Sequence, residues 1–211
     1  TQMEAPALYG SVENLANRAS IPLPKIYIIP SDTPNAFATG RNENHAAVAV
    51  TAGLLKMMNK DEVEGVLAHE LSHIKNKDIL ISTMAATIAS AVVMVSRWSV
   101  FFNNDDGGAV SAVAVAMIAP VAATLVQMAI SRSREYEADA GSAGITGNPV
   151  ALANALMKLS GTAKLKPLGA NPATAHMFIV NPLSGGTIMG LFSTHPPVEK
   201  RVKRLLAMKG S

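Results

Sequence analysis

Two histidines and a glutamate stand at a spacing that suits metal-dependent hydrolysis. They form the segment His69-Glu70-Leu71-Ser72-His73, an H-E-x-x-H pattern. In a helix, residues four apart are separated by about 40° in angle and about 6 Å in rise, so both imidazoles can reach one point. Neutral imidazole is a good Zn²⁺ ligand, and the neighbouring glutamate can accept a proton from water held by the metal. The pattern therefore predicts a zinc site with His69 and His73 as ligands and Glu70 as general base.

A group of acidic residues farther along the chain could complete this site. A catalytic zinc ion needs a third protein ligand and one open position. Glu135 and Asp139 are four residues apart and share a helix face, whereas Glu137 between them points away. A glutamate ligand, followed one turn later by an aspartate that orients a ligand histidine, would suit this spacing. Spacing alone leaves open a solvated acidic face, or a ligand from the remaining histidines: His45, His176 and His195.

The composition excludes several classes of function. The 211 residues contain no cysteine, which excludes cysteine-ligated zinc, iron–sulfur clusters, thiol catalysis and a disulfide-stapled fold. A net charge of +3 and an aromatic content of 4% give little basis for nucleic-acid binding. Charged residues make up only 16% of the chain, against about 25% in soluble domains. The distribution of the charges has to explain this deficit.

Two long segments without any charge account for the deficit. Ile79 to Ser96 covers 18 residues, and Ala109 to Ser131 covers 23. As helices they would measure about 27 Å and about 35 Å, and the hydrocarbon core of a bilayer is about 30 Å thick. The first segment reaches a full span if Arg97 extends towards the headgroups. We predict a transmembrane helical hairpin with spans at about 79–102 and 109–131; a pair of buried core helices is the alternative.

Basic residues flank the open end of this predicted hairpin. Lys75 and Lys77 precede the first span, Arg132 and Arg134 follow the second, and only Arg97 lies towards the tip. Basic residues next to membrane spans are enriched on the cytoplasmic side. We therefore expect a multi-pass protein of the cytoplasmic (inner) membrane whose catalytic domain faces the cytoplasm.

The remaining sequence predicts an α+β fold, mainly helical with a small β-sheet. Apolar periodicity predicts helices at 7–19, 53–59, 61–78, 133–143 and 149–159 and from 196 onwards, and β-branched runs predict strands at 25–30, 35–40 and 46–51. Asp61 is the expected N-cap of the 61–78 helix. The catalytic domain would then have two parts, residues 1–78 with the H-E-x-x-H helix and residues 132–211 with the third ligand, separated by the inserted hairpin at 79–131.

The motifs of this chain resemble those of the HtpX-like membrane zinc metallopeptidases, gluzincins related to the CAAX prenyl proteases. The resemblance rests on HELSHIKNKDIL and SRSREYEADAGSA, with further matches in PNAFATG, AAVAVTAGLL and THPP, and it covers nearly the whole chain. It implies a zincin-like fold and one Zn²⁺ held by His69, His73 and Glu135, with Glu70 as base and Asp139 orienting a ligand histidine. It also implies two membrane helices between the motifs and usually two more upstream. This chain starts at Thr1 without such a segment, so we expect it to be truncated; a member that lacks the two upstream helices is the alternative.

Weaker assignments concern the oxyanion and the substrate. A second donor or cation usually assists oxyanion stabilisation, and the candidates, in order of preference, are His195, Arg201 and Tyr136; a helix-capping role is the alternative for His195. An extended peptide could pair with an open sheet edge. The candidate edge segments are Asn35, Ala36, Phe37 and Ala38, extending to Thr39, or else Ala46–Val50, and an ordinary internal strand is the alternative for either.

Together these features predict a zinc-dependent endopeptidase that acts on polypeptides at a lipid bilayer, with no nucleic-acid partner. The resemblance further implies the degradation of misfolded or membrane proteins in protein quality control. A non-enzymatic membrane adaptor with a structural metal site is the alternative, although such a site has no use for Glu70. An intramembrane zinc protease is a further rival, but charges such as Asp61 and Lys75 bracket the motif. The oligomeric state has no signature in this sequence.

Overall fold

Helices dominate the structure, a computed structural model that describes residues 3–102, 108–165 and 196–209. The helices are α1 (Pro6–Ala19), α2 (Ala52–Met57), α3 (Lys60–Lys75), α4 (Asp78–Phe102), α5 (Gly108–Thr146), α6 (Pro149–Leu165) and α7 (Val198–Ala207). The strands are β1 (Lys25–Ile29), β2 (Ala36–Gly40) and β3 (Ala46–Thr51), and a 3₁₀ turn, Glu43–His45, precedes β3. The expected α+β fold, mainly helical with a small sheet, is confirmed.

The sheet has the strand order β1-β3-β2, so β3 lies at its centre and β2 at one edge. β3 runs parallel to β1 and antiparallel to β2, where Ala38 stands opposite Val48. In an antiparallel strand, successive residues direct their main-chain N–H and C=O groups alternately towards the partner strand and away from it. The carbonyl of Asn35 accepts from Thr51 N on the β3 side at 2.9 Å. Ala36 and Ala38 therefore direct their main-chain groups to the open edge.

A capping box and a left-handed residue bound α3. The Asn59 side chain accepts from Glu62 N, and the Glu62 carboxylate accepts from Asn59 N, both at 2.9 Å. The N-cap is therefore Asn59 and not the expected Asp61. The expected helix over 61–78 is also too long, because Lys77 takes a φ of 58°. That conformation costs a residue with a side chain about 1–2 kcal/mol, and it turns the chain so that Asp78 begins α4 instead of ending α3.

α3 is the central helix of the part that carries the H-E-x-x-H motif, and it contacts α1, α5, α6 and β2. Its fully buried apolar side chains include Val66, Leu67 and Leu71. The approach of α5 is close because Gly141 has no side chain: a Cβ there would lie 2.5 Å from Ser72 Oγ. Across the same contact Ser142 Oγ donates to Gly65 O at 2.8 Å. These contacts fix the helix of the two histidines against the helix of the acidic residues.

The helices α4 and α5 pack along each other and expose mostly apolar side chains. Their segments Asp78–Trp98 and Val113–Thr146 are long and apolar enough to cross a membrane, and only 6% of the most apolar window of each is buried. The core helix of a soluble domain would be mostly buried, so the alternative of two buried core helices does not describe this pair. α5 continues past its apolar stretch, and the same helix therefore carries Glu135 and Asp139.

One helix end differs from the expectation for a local reason. α6 was expected to stop before Gly161, but it runs through this glycine to Leu165. A glycine inside a helix costs about 1 kcal/mol relative to alanine, and the packing of α6 against α3 and α7 outweighs that cost. The division of the chain into residues 1–78, 79–131 and 132–211 stays a prediction.

Candidate metal centre

Three side chains from two helices converge at one point. α3 supplies His69 and His73 from successive turns, and α5 supplies Glu135. One ligand atom from each residue can be chosen so that all three lie within 4.8 Å of one another. His69 and Glu135 are buried and His73 is half-buried, so the group is nearly closed to bulk water. This is the residue set that the sequence predicts for the metal.

The ligand atoms face one another at the separations that a shared ion requires. Nε2 of His69 lies 3.1 Å from Nε2 of His73. The Glu135 carboxylate lies 3.6 Å from Nε2 of His73 through one oxygen and 3.8 Å from Nε2 of His69 through the other. Two nitrogens that each bind a tetrahedral zinc ion at 2.0–2.1 Å would stand about 3.3 Å apart. The donor set therefore fits a zinc ion.

The other nitrogen of each imidazole faces a carboxylate. Nδ1 of His69 lies 3.1 Å from Asp139 Oδ1, and Nδ1 of His73 lies 2.5 Å from Asp78 Oδ2. The bond to Asp78 requires the hydrogen of His73 on Nδ1, which leaves a lone pair on its Nε2. Nδ1 of His69 lies at ion-pair distance from Asp139 and has no hydrogen-bond partner among the described residues, so the carboxylate favours a hydrogen on that nitrogen without an aligned bond. Two lone pairs that point at each other repel unless a cation lies between them. The arrangement thus fits a metal ion better than it fits a hydrogen bond between the two histidines.

The excess of negative charge in the site also favours a bound cation. Among the described residues, four buried carboxylates lie around the two imidazoles, and one buried guanidinium pairs with two of them. The carboxylates are Glu70, Asp78, Glu135 and Asp139, and the guanidinium of Arg201 pairs with the last two. Buried ionised groups are costly unless paired or bound to metal. A divalent ion would remove most of the excess negative charge.

Arg201, from α7, is fully buried beside the metal ligands. Its Nε and Nη2 donate to Asp139 at 2.9 Å and 2.6 Å, and its Nη1 lies 3.1 Å from Glu135. Nη2 is also 3.3 Å from Nε2 of His69. Burial lowers the pKa of this guanidinium, but the carboxylates of Glu135 and Asp139 raise it more, so its pKa lies above the ordinary value. Arg201 therefore stays charged and fixes both carboxylates.

His73 is held in a strongly acidic environment. Burial lowers the pKa of its imidazole, whereas the hydrogen bond to Asp78 and the charges of Glu135 and Glu70 raise it. The second effect is larger, and the pKa of His73 lies above its ordinary value of 6.5. The same carboxylates that favour a proton on His73 favour a metal cation in its place.

Glu70 lies against the open sheet edge. Its Oε2 accepts a hydrogen bond from Ala38 N at 2.8 Å, and only 7% of the residue is exposed. The N–H of Ala38 is one of the main-chain groups that point away from β3, so β2 itself brings the edge to the glutamate. Glu70 and the side of β2 that faces away from β3 are therefore adjacent.

Comparisons with known proteins identify the family of this chain. A model described as Peptidase family M48 matches residues 2–209. The chain belongs to peptidase family M48. A "Protease HtpX homolog" of Desulforapulum autotrophicum is 55% identical, and the match covers 97% of this chain and 70% of that protein. A "Protease HtpX homolog" of Thermococcus kodakarensis is 56% identical and covers 97% of this chain and 74% of the relative. The expected HtpX-like family is confirmed, and with it the expectation of a metalloprotease.

A solved structure supports the fold. The crystal structure of Ste24p from S. mikatae superposes with a TM-score of 0.58 at 22% identity, over 94% of this chain and 49% of that one. This chain spans about half the length of that protein, and at this identity the likeness concerns the fold alone. The HtpX-like relatives and the two long apolar helices indicate that this M48 peptidase is a membrane protein.

In this M48 peptidase most residues predicted for the site meet in one place. The two motif histidines, the glutamate beside them, Glu135, Asp139 and Arg201 lie together, and Ala38 touches the site from β2. Tyr136 lies outside this group, under the guanidinium of Arg204 at 4.0 Å. His45 is exposed and bonds to Arg41 and Asn42. His176 and His195 fall outside the described residues.

The partner of His73 is absent from the sequence prediction. Asp78 follows His73 by five residues, and its carboxylate is buried against the ring. The sequence HIKNKD contained the signal, an acidic residue just after a ligand histidine. On one straight helix over 61–78 the two residues would not share a face, because they are five apart. The left-handed turn at Lys77 brings the two side chains together.

Proposed function

We propose that this membrane metalloprotease is a zinc-dependent endopeptidase with Glu70 as general base. One observation carries the proposal. The lone pairs of His69 and His73 and the carboxylate of Glu135 converge on one point, and Glu70 lies beside them on the helix of the two histidines. A structural metal site would not need that second carboxylate. His69, His73 and Glu135 would hold the ion, and three protein ligands leave a position for water and substrate.

The chemistry is divided between the ion and the protein. When bound, zinc lowers the pKa of a bound water from about 15.7 towards 7 and polarises the scissile carbonyl. Glu70 accepts the proton of the attacking water and delivers it to the leaving amine. Ala38 N donates to Oε2 of Glu70, which holds this carboxylate in place while the other oxygen handles the proton. Asp139 and Asp78 keep both ligand imidazoles in the correct tautomer.

Substrate would bind as an added strand along β2. Asn35 is anchored to β3 through its main chain. Ala36, which is 1% exposed, and Ala38, whose N–H is bonded to Glu70, direct their main-chain groups to the side away from β3, where the carbonyl of Ala38 would accept from a substrate strand. Their small side chains let a peptide backbone approach, and main-chain pairing tolerates varied sequences. Phe37 belongs to the same edge strand and would contribute to substrate selection. These features suit an enzyme that cuts unfolded polypeptides of many sequences.

Oxyanion stabilisation would come from Arg201 and from His195. Arg201 brings a permanent positive charge to within 3.3 Å of a metal-binding nitrogen. A preorganised cation at the site of developing negative charge is worth several kcal/mol in many enzymes. His195, which precedes the described α7 segment by sequence, is the second proposed donor.

The membrane setting points to the class of substrate. The apolar hairpin helix α5 runs directly into the helix turn that carries Glu135, so the metal lies close to the bilayer surface. The end of the hairpin nearest the site carries Lys75, Lys77, Arg132 and Arg134, and under the positive-inside rule these residues support a site that faces the cytoplasm. We therefore propose misfolded or membrane proteins at the inner face of the cytoplasmic membrane as substrates, in protein quality control.

Casein hydrolysis in mild detergent tests the activity. The wild-type chain should cleave casein, lose activity with a chelator and regain it with zinc. Glu70→Gln should keep its zinc and lose activity by about 10²–10⁴-fold. Glu64→Gln, on the same helix and bonded to Ser11 away from the site, is the matched control and should keep full activity. If the zinc-loaded wild type cleaves nothing and Glu70→Gln behaves identically, the adaptor alternative is correct.

Orientation can be tested cleanly because the chain contains no cysteine. Glu13→Cys lies on the exposed face of α1, and Asn104→Cys lies between α4 and α5 in the sequence. In intact cells a membrane-impermeant maleimide should label the second and spare the first until the cells are opened. The reverse pattern would contradict a catalytic domain in the cytoplasm.

A further inference from the structure

Asp78 connects the candidate metal ligands to the end of the membrane hairpin that lies nearest to them. This residue is the first of α4, and its side chain contacts His73 while its carbonyl contacts α5. We propose that Asp78 is a positioning residue for His73, and that Arg134 and Ser82 hold Asp78 in place, so that the packing of the two membrane helices fixes the metal site. The proposal rests on the proposed zinc peptidase function and concerns how its site is built.

Asp78 is buried, unlike most of the described residues of its helix. Only 6% of Asp78 is exposed, whereas the hairpin helices are otherwise largely exposed along their apolar length. Its Oδ2 lies 2.5 Å from Nδ1 of His73, and its Oδ1 is buried without a hydrogen-bond partner among the described residues. Burying a carboxylate costs free energy that a surface position would avoid. The hydrogen bond to His73 is the interaction that offsets this cost.

The backbone approach to this contact is strained. Lys77, just before Asp78, has a φ of 58°, where glycine would be at ease and lysine is not. This turn changes the chain direction between α3 and α4 and brings the Asp78 carboxylate back to His73. The same turn therefore sets both the direction of α4 relative to α3 and the contact between Asp78 and His73.

The second membrane helix locks the same residue from the other side. Arg134 Nη1 donates to the main-chain carbonyl of Asp78 at 2.5 Å and also to Ser82 Oγ. Ser82 Oγ itself donates to the Asp78 carbonyl at 2.7 Å. Arg134 immediately precedes Glu135 in α5. The same arginine therefore contacts Asp78, the residue behind His73, and is the sequence neighbour of Glu135. A change in the packing of α4 on α5 would displace both ligands together.

Zinc affinity of the full chain in detergent tests the proposal without any substrate. Asp78→Ala should raise the zinc Kd by about 10–100-fold, the usual effect of removing the carboxylate behind a ligand histidine. Asp78→Asn should lose less, because its amide oxygen still accepts from Nδ1 of His73. The control Asp32→Asn removes a highly exposed carboxylate paired with Lys56 and should stay within about twofold.

Cobalt substitution separates positioning from mere stability. The visible bands of the Co²⁺-loaded chain report ligand geometry, and they should shift in Asp78→Asn while far-UV circular dichroism of the metal-free variant stays native. If Asp78→Ala fails to fold, Asp78→Asn decides the question alone. A zinc Kd within about twofold of wild type and unchanged cobalt bands in Asp78→Asn would overturn the role of Asp78.

A double-mutant cycle tests the link to the second membrane helix. Arg134→Gln should raise the zinc Kd about three- to tenfold in the wild type and have no further effect in Asp78→Ala, because it acts through Asp78. Lys75→Gln removes a positive charge from the same end of the hairpin and is the matched control. Equal effects of Arg134→Gln in both backgrounds, or none in either, would overturn the link. A wild type that binds zinc but cleaves nothing would overturn the peptidase proposal and leave these zinc titrations interpretable, so the two proposals fail separately.

Discussion

Removing the guanidinium of Arg201 should destabilise the metal-free protein severely. Arg201 is fully buried, and it makes two hydrogen bonds to Asp139, at 2.6 Å and 2.9 Å, and an ion pair to Glu135 at 3.1 Å. Arg201→Met keeps the apolar length of the side chain and leaves two buried carboxylates without their cation. Breaking a buried ion pair in this way costs about 3–5 kcal/mol, because the remaining charge is uncompensated. We expect a loss of free energy of unfolding in this range.

Urea denaturation in mild detergent, followed by far-UV circular dichroism with a chelator present, measures this loss. The matched control is Arg204→Met on the same helix, where an exposed guanidinium stacks on Tyr136 at 4.0 Å and contributes about 0.5–1 kcal/mol. Adding Asp139→Asn to Arg201→Met removes one uncompensated charge and should recover part of the loss. If Arg201→Met and Arg204→Met lose equal stability, the charge balance drawn for this site is wrong.

Three further outcomes follow from other contacts. Ala38→Pro removes the N–H that donates to Glu70 and leaves the β3 side of β2 intact. Casein hydrolysis should therefore fall by about tenfold or more with zinc content unchanged. Full activity would show that this hydrogen bond does not contribute to catalysis. Asn59→Ala breaks the capping box with Glu62 and should lower the free energy of unfolding by about 0.5–2 kcal/mol without changing zinc content, as urea denaturation can check. Because the pKa of His73 lies above 6.5, protons should compete with zinc on acidification through a pH above that value, and a zinc affinity that stays constant down to pH 6.5 would contradict the raised pKa.

Much of the candidate metal group could be predicted from the sequence because its residues stand at short spacings. His69 and His73 are one turn apart, and so are Glu135 and Asp139, so helix geometry alone aligns each pair. What brings the two pairs together is the close packing of α3 on α5 at Gly141, which local patterns cannot reveal. The resemblance to a known family supplied that pairing instead.

The misses have a common physical origin in tertiary contacts. The sequence predicts a helix that ends at Asp78, because lysine at position 77 does not indicate a left-handed turn. α6 continues through Gly161 because packing outweighs helix propensity. The position of β2 at the sheet edge, with Ala38 touching Glu70, follows from strand order, which three short apolar segments do not determine.

Metal analysis of purified, chelator-washed and zinc-repleted protein tests the central claim most directly. The wild type should bind one zinc ion per chain, and His69→Ala, His73→Ala and Glu135→Ala should each lose it while Glu70→Gln retains it. Casein hydrolysis should be lost in all four variants. A Glu135→Ala chain that keeps both its zinc and its full activity would contradict the proposed ligand set.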